Sequence, residues 1–438
     1  MVTVNVIGAG LAGSECALQL ARRGIKVKLF DMKPEKMSAA HSDTNFAELV
    51  CSNSLKSNDI STAGGLLKQE LRALGSELID CADKTSVPAG GALAVDRKLF
   101  ALCVTEKIKS NPNIDIVNET VSKIPSGVTV IATGPLTDES LFHEIKRLCG
   151  NEKFLYFFDA AAPIVDRNSI DFNLAFISDR YDKGTGDYIN CPLNKEEFEI
   201  FHSELVKAQT AKLKDFEESK IFEGCMPLEV MAKRGTDTIR FGPFKPVGLT
   251  DPKTGKRPYA VLQLRKENNF GSLYNLVGCQ TNLTFPEQKR VFGLIPALKN
   301  AEFLRYGVMH KNTYINSPAL LSEGFSLRSE PDMYFAGQIS GVEGYVESIA
   351  SGLVVALSVL NRAKGLQPDD FASETMTGAL AKYISSPSVN FQPMNANFGI
   401  LPPLETHERD KAKRKQLLAE RALKQITIYS YKLSRSNL

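Results

Sequence analysis

The hydrophobic pattern opens with a continuous apolar run over residues 2–7, whose length and β-branched content predict a buried strand. Three glycines follow within Gly8-Ala9-Gly10-Leu11-Ala12-Gly13. Residues 14–23 then place Cys16 or Ala17, Leu18 and Ala21 on one side of a helix, and residues 26–30 predict a second strand closed by Asp31. From 33 to 62 periodicity lapses into a polar stretch, His41 to Leu55 included, and a loop this long in a compact domain usually serves function. Leu67, Leu71, Leu74 and Leu78 share one face of a helix predicted over 66–78. A glycine turn at 88–91 leads into a helix ending at Lys109, and residues 114–117 and 128–134 predict two more strands. Beyond residue 155 the pattern changes to short segments rich in Pro, Gly and Tyr, the signature of an inserted α+β domain. A buried strand, a glycine turn and a helix return over 332–361, with Ile349, Leu353, Ala356 and Leu360 along one side. This order predicts an α/β fold: a Rossmann-like FAD-binding domain of the glutathione-reductase type with an inserted α+β domain. Its parts are expected at 1–155 (first FAD-binding part), 156–320 (insertion) and 321–438 (second FAD-binding part with a helical tail).

The glycines carry chemistry in that frame. Gly8 is expected to make the tight turn, Gly10 to let the backbone approach a pyrophosphate, and Gly13 to let the helix pack on the strand. Leu11 and Ala12, between these glycines, are candidate cofactor contacts, and the N-terminus of the following helix is aimed at the phosphates. Asp31, about 20 residues on, is placed for a ribose 2′-hydroxyl. The fingerprint alone fits NAD or FAD. The return of the chain through Gly337, Gln338, Gly341 and Tyr345 favours FAD, because such folds complete the cofactor site with a second glycine loop. With no second GxGxxG in the chain, a nicotinamide cofactor is expected to bind only transiently.

Composition excludes more than it suggests. A 438-residue chain with 43% hydrophobic and 24% charged residues is an ordinary globular one, large enough for two domains. Its eight cysteines are scattered, with no CxxC pair and no ligand spacing beside the five histidines, so neither a zinc or other metal site nor a disulfide framework is expected. No apolar run reaches about 18 residues and no signal peptide precedes the first strand, so no membrane span and a cytoplasmic location are expected. The net charge of +3 hides an asymmetry: from Glu408 onward nine Lys or Arg face three Asp or Glu. Such a basic helix suits phosphate contacts and a solvated face equally well. Cys16 and Cys103 fall in apolar helical patterns and belong to the core. Cys51, in a Ser/Asn loop, and Cys225, between Gly224 and Pro227, lie where turns expose side chains and are the candidate thiolates.

Several longer motifs go together: Asn45-Phe-Ala-Glu-Leu-Val-Cys-Ser-Asn-Ser-Leu55, Ala94-Val-Asp-Arg97, Phe222-Glu-Gly-Cys-Met-Pro227, Arg240-Phe-Gly-Pro-Phe-Lys-Pro-Val-Gly-Leu249, Gln280-Thr-Asn-Leu-Thr284 and Gly337-Gln-Ile-Ser-Gly-Val-Glu-Gly-Tyr345. In these, and over nearly its whole length, the chain resembles the folate- and FAD-dependent tRNA (uracil-5-)-methyltransferase family, more closely than the related glucose-inhibited division protein A family. The resemblance implies methylation of C5 of the T-loop uridine of tRNA, with 5,10-methylenetetrahydrofolate as carbon donor, reduced FAD as electron donor and NAD(P)H as co-substrate. The same chemistry on ribosomal RNA, and an RNA-binding flavoprotein of the division-protein type, are the alternatives. By the same resemblance Cys225 is assigned to uracil and Cys51 to the flavin side, roles that could be exchanged. It also makes Tyr345 a stacking partner of folate or isoalloxazine, Arg265, Gln280, Asn282 and His310 contacts to folate, and Lys233, Arg234 and the tail contacts to RNA phosphates.

Overall fold

The computed structural model describes residues 3–38, 40–150, 155–182, 186–212, 226–366, 371–388, 391–405 and 408–436. Five parallel strands form the central sheet: β1 (Thr3–Ile7), β2 (Lys26–Asp31), β3 (Ile114–Asn118), β4 (Thr129–Ile131) and β5 (Met333–Phe335), in the spatial order β5-β4-β1-β2-β3. Val4, Val6, Leu29, Val130, Ile131 and Phe335 are buried on it, as expected of parallel strands covered by helices. The strand from the far end of the sequence completes the edge beside β4, so the two ends of the chain build one sheet around an insertion.

Helix Leu11–Ala21 leaves β1 directly at Gly10, three residues earlier than the apolar pattern suggested, because Gly10 itself is the N-cap. The long helix Tyr345–Ala363 crosses it where Gly352 lies against its backbone. A Cβ on Gly352 would sit 2.2 Å from Ala12 O, so glycine sets the crossing distance. This helix is apolar and long enough to cross a membrane, yet its residues are buried between the sheet and the neighbouring helices.

Local signals misplace two elements. The helix expected over 66–78 is two, Ala63–Ala73 and Glu77–Lys84. Gly75 takes φ +71° between them, and Ser76 caps the second by accepting from Ile79 N–H. Buried Glu15 reinforces that start, accepting from Ser76 Oγ at 3.0 Å and Leu78 N at 2.9 Å. Between the turn at 88–91 and the helix Arg97–Lys109 stands a strand, Ala92–Val95. It pairs with Ser54–Ser57 and Ser86–Val87 in a three-stranded antiparallel sheet, a pairing that periodicity cannot foresee.

The inserted region has its own antiparallel six-stranded sheet, built from Phe176–Ile177, Tyr188–Leu193, Ala260–Lys266, Leu273–Leu276, Ile164–Asp166 and Phe303–Arg305 in that order. A second core, rich in Phe198, Phe201, Phe244 and Phe292, packs on it. A two-stranded ribbon of Leu155–Ala160 and Met309–Tyr314 carries the chain in and out. The basic helix Lys411–Ser436 docks Leu418, Ala419, Ala422 and Ile426 into the first core and leaves Lys411, Lys413, Arg414 and Lys415 exposed.

Candidate active site

A cleft enclosing about 1190 Å³, its open mouth included, runs along the C-terminal ends of β1, β2 and β4. Gly8, at φ +99°, has room for no side chain, since a Cβ would lie 2.6 Å from Ala132 O. Gly13 is tighter, with a Cβ position 1.8 Å from Gly8 O. Gly10 differs: its missing Cβ faces open space in the cleft, and no side chain caps the helix that starts there. Unsatisfied N–H groups at that helix start are therefore presented to the cleft, the arrangement that receives a phosphate. Asp31 ends β2 at the cleft, its oxygens fixed by Ala9 N–H at 2.7 Å and Lys33 N–H at 2.9 Å, with acceptor capacity left over. Leu11, Ala12, Gly337, Gln338 and Tyr345 also line it. These residues fit a flavin dinucleotide: a bare helix start for the pyrophosphate, an acid for the ribose, and a second glycine approach further along. Gly341 does not reach the cleft lining; at φ +83° it packs under the ring of Phe391.

A second cavity joins the first through Val50, Pro135, Leu136, Gln338 and Tyr345, which line both. Cys51 stands in its wall, half-buried, with Sγ 3.7 Å from Ala160 O. The backbone around it is held from three sides. Tyr345 Oη accepts from Cys51 N–H at 2.7 Å and Ser52 N–H at 3.0 Å. Arg97 donates to Leu49 O at 2.8 Å while paired with Glu267 at 2.6 Å, and Arg305 donates to Val50 O at 2.6 Å. Arg265 Nε and Nη2 donate to Asn53 Oδ1 at 3.0 Å and Ser52 Oγ at 2.8 Å. Arg265, expected on folate, thus spends its donors on the cysteine loop, and Tyr345 grips that loop through its hydroxyl.

The charges here are arranged by burial. Burial opposes the Arg97 charge, but Glu267 outweighs it and keeps the guanidinium protonated. Burial, then Cys51, pushes the Tyr345 phenol up, so it stays a neutral hydroxyl. Burial, helped by Arg305 and His41, pushes His310 down, which leaves a neutral imidazole in the cavity wall. Gln280 lines the same cavity. Asn282 does not: its side chain donates to Ala211 O at 3.0 Å and its N–H to Glu229 Oε1 at 2.7 Å.

Cys225 lies outside the described residues. Both described flanks meet the loop that carries Gln280: Ala211 N–H donates to Asn282 O at 2.8 Å, and Leu228 N–H to Gln280 O at 2.7 Å. Cys16 is buried in the core as expected. Cys103 is only half-buried, its Sγ 3.0 Å from Cys81 Sγ on the neighbouring helix. Sequence reasoning missed Arg97 as a site residue although it closes the Ala94–Arg97 motif. It also missed the acidic residues Asp159, Glu343 and Glu347 in the second cavity; the Val-Glu-Gly-Tyr-Val-Glu run beside the glycine loop was the available signal.

The model of the glucose inhibited division protein A family matches residues 3–367, and the chain belongs to that family. The solved structure of GidA from Aquifex aeolicus shares the fold at a TM-score of 0.71 and 18% identity, covering 99% of this chain and 75% of that one. Within the broad family a narrower membership is plain. The methylenetetrahydrofolate--tRNA-(uracil-5-)-methyltransferase TrmFO of Acetivibrio thermocellus is 58% identical over 433 residues, 98% of this chain and 99% of its own length. That of Listeria innocua is 57% identical over 96% and 97%. The chain belongs to this methyltransferase family.

Proposed function

We propose that the protein is a folate- and FAD-dependent RNA methyltransferase that converts the T-loop uridine of tRNA to 5-methyluridine. The observation that carries this reading is the junction of the two cavities: a dinucleotide cleft opens, past Tyr345, into a second chamber with Cys51 in its wall. Methylenetetrahydrofolate supplies carbon two electrons short of a methyl group, and a flavin bound in the cleft supplies that pair, with NAD(P)H as the ultimate reductant. Uracil C5 is a poor nucleophile until a thiolate adds to C6, which makes C5 an enolate carbon. Cys225 is assigned to that addition and Cys51 to the flavin side. The protein's own part is positioning: Tyr345, Arg97 and Arg305 fix the backbone around Cys51, Arg265 holds the side chains of Ser52 and Asn53 beside it, and Gln280 and His310 face the folate space. The insertion, residues 156–320, is read as the folate and substrate domain. The exposed lysines and arginines of helix Lys411–Ser436 are read as phosphate contacts, and the cytoplasm as the compartment that keeps the thiols reduced.

The test is direct. Purified protein should be yellow with FAD and should move labelled folate carbon to a tRNA transcript in the presence of NADPH. Colourless protein that moves no carbon would end this reading.

A further inference from the structure

The second cavity has an acidic wall that the reading above leaves without a task. Asp159 on the ribbon, Glu343 after the glycine loop and Glu347 in the first turn of the helix Tyr345–Ala363 all line it. Glu343 and Glu347 are buried, 5% and 1% exposed. Among the described residues no group of His, Cys, Asp and Glu is placed to hold a metal ion, so the wall is not a cation site there. The three acids differ in how they are held. Glu347 Oε1 accepts from Ala396 N–H at 2.9 Å and lies 3.5 Å from Lys56 Nζ, while its Oε2 is buried with no hydrogen-bond partner in the structure. An orphaned acceptor on a cavity wall asks for a donor from whatever fills the cavity. Both oxygens of Glu343 meet one amide, Gln338 Nε2, at 3.0 and 2.9 Å, and Gln338 lines both cavities. Glu343 is thus the carboxyl tethered at the point where the flavin cleft opens into the chamber.

We propose that Glu343 is the acid–base residue of this chamber, exchanging a proton with C5 of the substrate uracil. The proposal rests on the uracil reading given above. In the step concerned, a cysteine thiolate is already bonded to C6 and the new carbon to C5. The C5–H bond breaks, its proton passes to a Glu343 oxygen, and its electron pair forms a double bond to the new carbon. That carbon parts from the amine that delivered it, and the amine nitrogen takes the departing pair and a proton from water. Without a one-carbon donor the same group works in reverse: neutral Glu343 protonates the C5 enolate of the thiolate adduct and then removes either hydrogen, so C5 exchanges with solvent.

The surroundings suit a group that must both give and take a proton near neutrality. Burial, then the charges of Asp159 and Glu347, pushes the Glu343 carboxyl up to about 8, against the hydrogen bond from Gln338 and the charge of Lys56. Lys68, buried on the helix Ala63–Ala73, faces Glu347, and neutral His310 lies in the same cavity wall. A general base is most effective when its pKa lies near the working pH.

The experiment uses the holoprotein and tRNA transcript in two arms, adduct trapping with the one-carbon donor and solvent exchange without it. Covalent adduct formation is read on a denaturing gel with 5-fluorouridine-substituted transcript, methylenetetrahydrofolate and NADPH, because fluorine at C5 leaves no proton to remove and traps the adduct before the step assigned to Glu343. Solvent exchange is read by mass spectrometry on transcript deuterated at uridine C5. Glu343→Gln should form the adduct as wild type does and exchange C5 about a hundredfold or more slowly, the usual scale of acid–base assistance. Infrared spectra should show a neutral carboxylic C=O band that fades as pH rises through about 8 and is missing in Glu343→Gln. Wild-type exchange in Glu343→Gln, or a band that survives the substitution, overturns the proposal. Absence of any adduct with wild-type protein overturns the uracil reading, and this proposal with it.

Discussion

Tyr345→Phe removes one oxygen atom and should loosen the cysteine loop by a predictable amount. The hydroxyl accepts two backbone N–H groups, from Cys51 at 2.7 Å and Ser52 at 3.0 Å. Both residues are half-buried, so water replaces part of what is lost, and each bond is worth about 1 kcal/mol. The loop should therefore open more easily by about 2 kcal/mol, which is about a 30-fold rise in local opening. The ring remains, so the sheet and the dinucleotide cleft should keep their stability. Native-state hydrogen exchange measures this residue by residue: amides 51 and 52 should exchange about 30-fold faster in Tyr345→Phe, while those of β1 and β2 keep wild-type rates. The thiol of Cys51 should react faster with a disulfide reagent by a similar factor. Unchanged protection at both amides would refute the role given to the hydroxyl.

The part of the site legible in the sequence is the part built from neighbours in the chain. Gly8, Gly10 and Gly13 lie within six residues, and each does in space what its spacing implies: turn, open approach and close packing. Asp31 follows because a helix and a strand of ordinary length return the chain to the same edge. The cysteine loop was legible as unusual but not in its mechanics. Tyr345 grips it across 294 residues, Arg265 across 213 from Ser52, and Arg97 pairs with Glu267 across 170. Those contacts exist only once the insertion and the returning C-terminal segment fold onto the first part of the chain, and no local pattern encodes them. Gly75 shows the opposite failure, a local stop signal outvoted by four leucines at helical spacing. Arg265 and Asn282 share one lesson: a polar residue in a site motif is as often committed to a neighbouring backbone or loop as to a ligand.

Three further outcomes follow from the same geometry. Gly13→Ala forces a methyl toward Gly8 O, 1.8 Å from the ideal Cβ position, and should cost about 3 kcal/mol and release FAD, read by the melting temperature and by the flavin absorbance of the purified protein; an alanine variant that stays yellow and melts normally contradicts the packing. Glu267→Gln leaves Arg97 charged and buried and should destabilise by about 3–5 kcal/mol, as broken buried pairs do, measured by urea unfolding; a loss below about 1 kcal/mol would make the pair a surface-like one. Replacing exposed Lys413, Arg414 and Lys415 by Ala should weaken tRNA binding and flatten its dependence on log salt by up to about 3, with no change in melting temperature; an unaltered salt slope would leave the tail as a solvated face.

The most direct test of the central claim offers the purified protein two RNAs at once, a tRNA transcript and a ribosomal RNA fragment, with methylenetetrahydrofolate and NADPH. Mass spectrometry then maps any 5-methyluridine formed. The account predicts the methyl group on the T-loop uridine of the tRNA and none on the ribosomal fragment. Methylation of the ribosomal fragment alone, or of neither RNA, would contradict it.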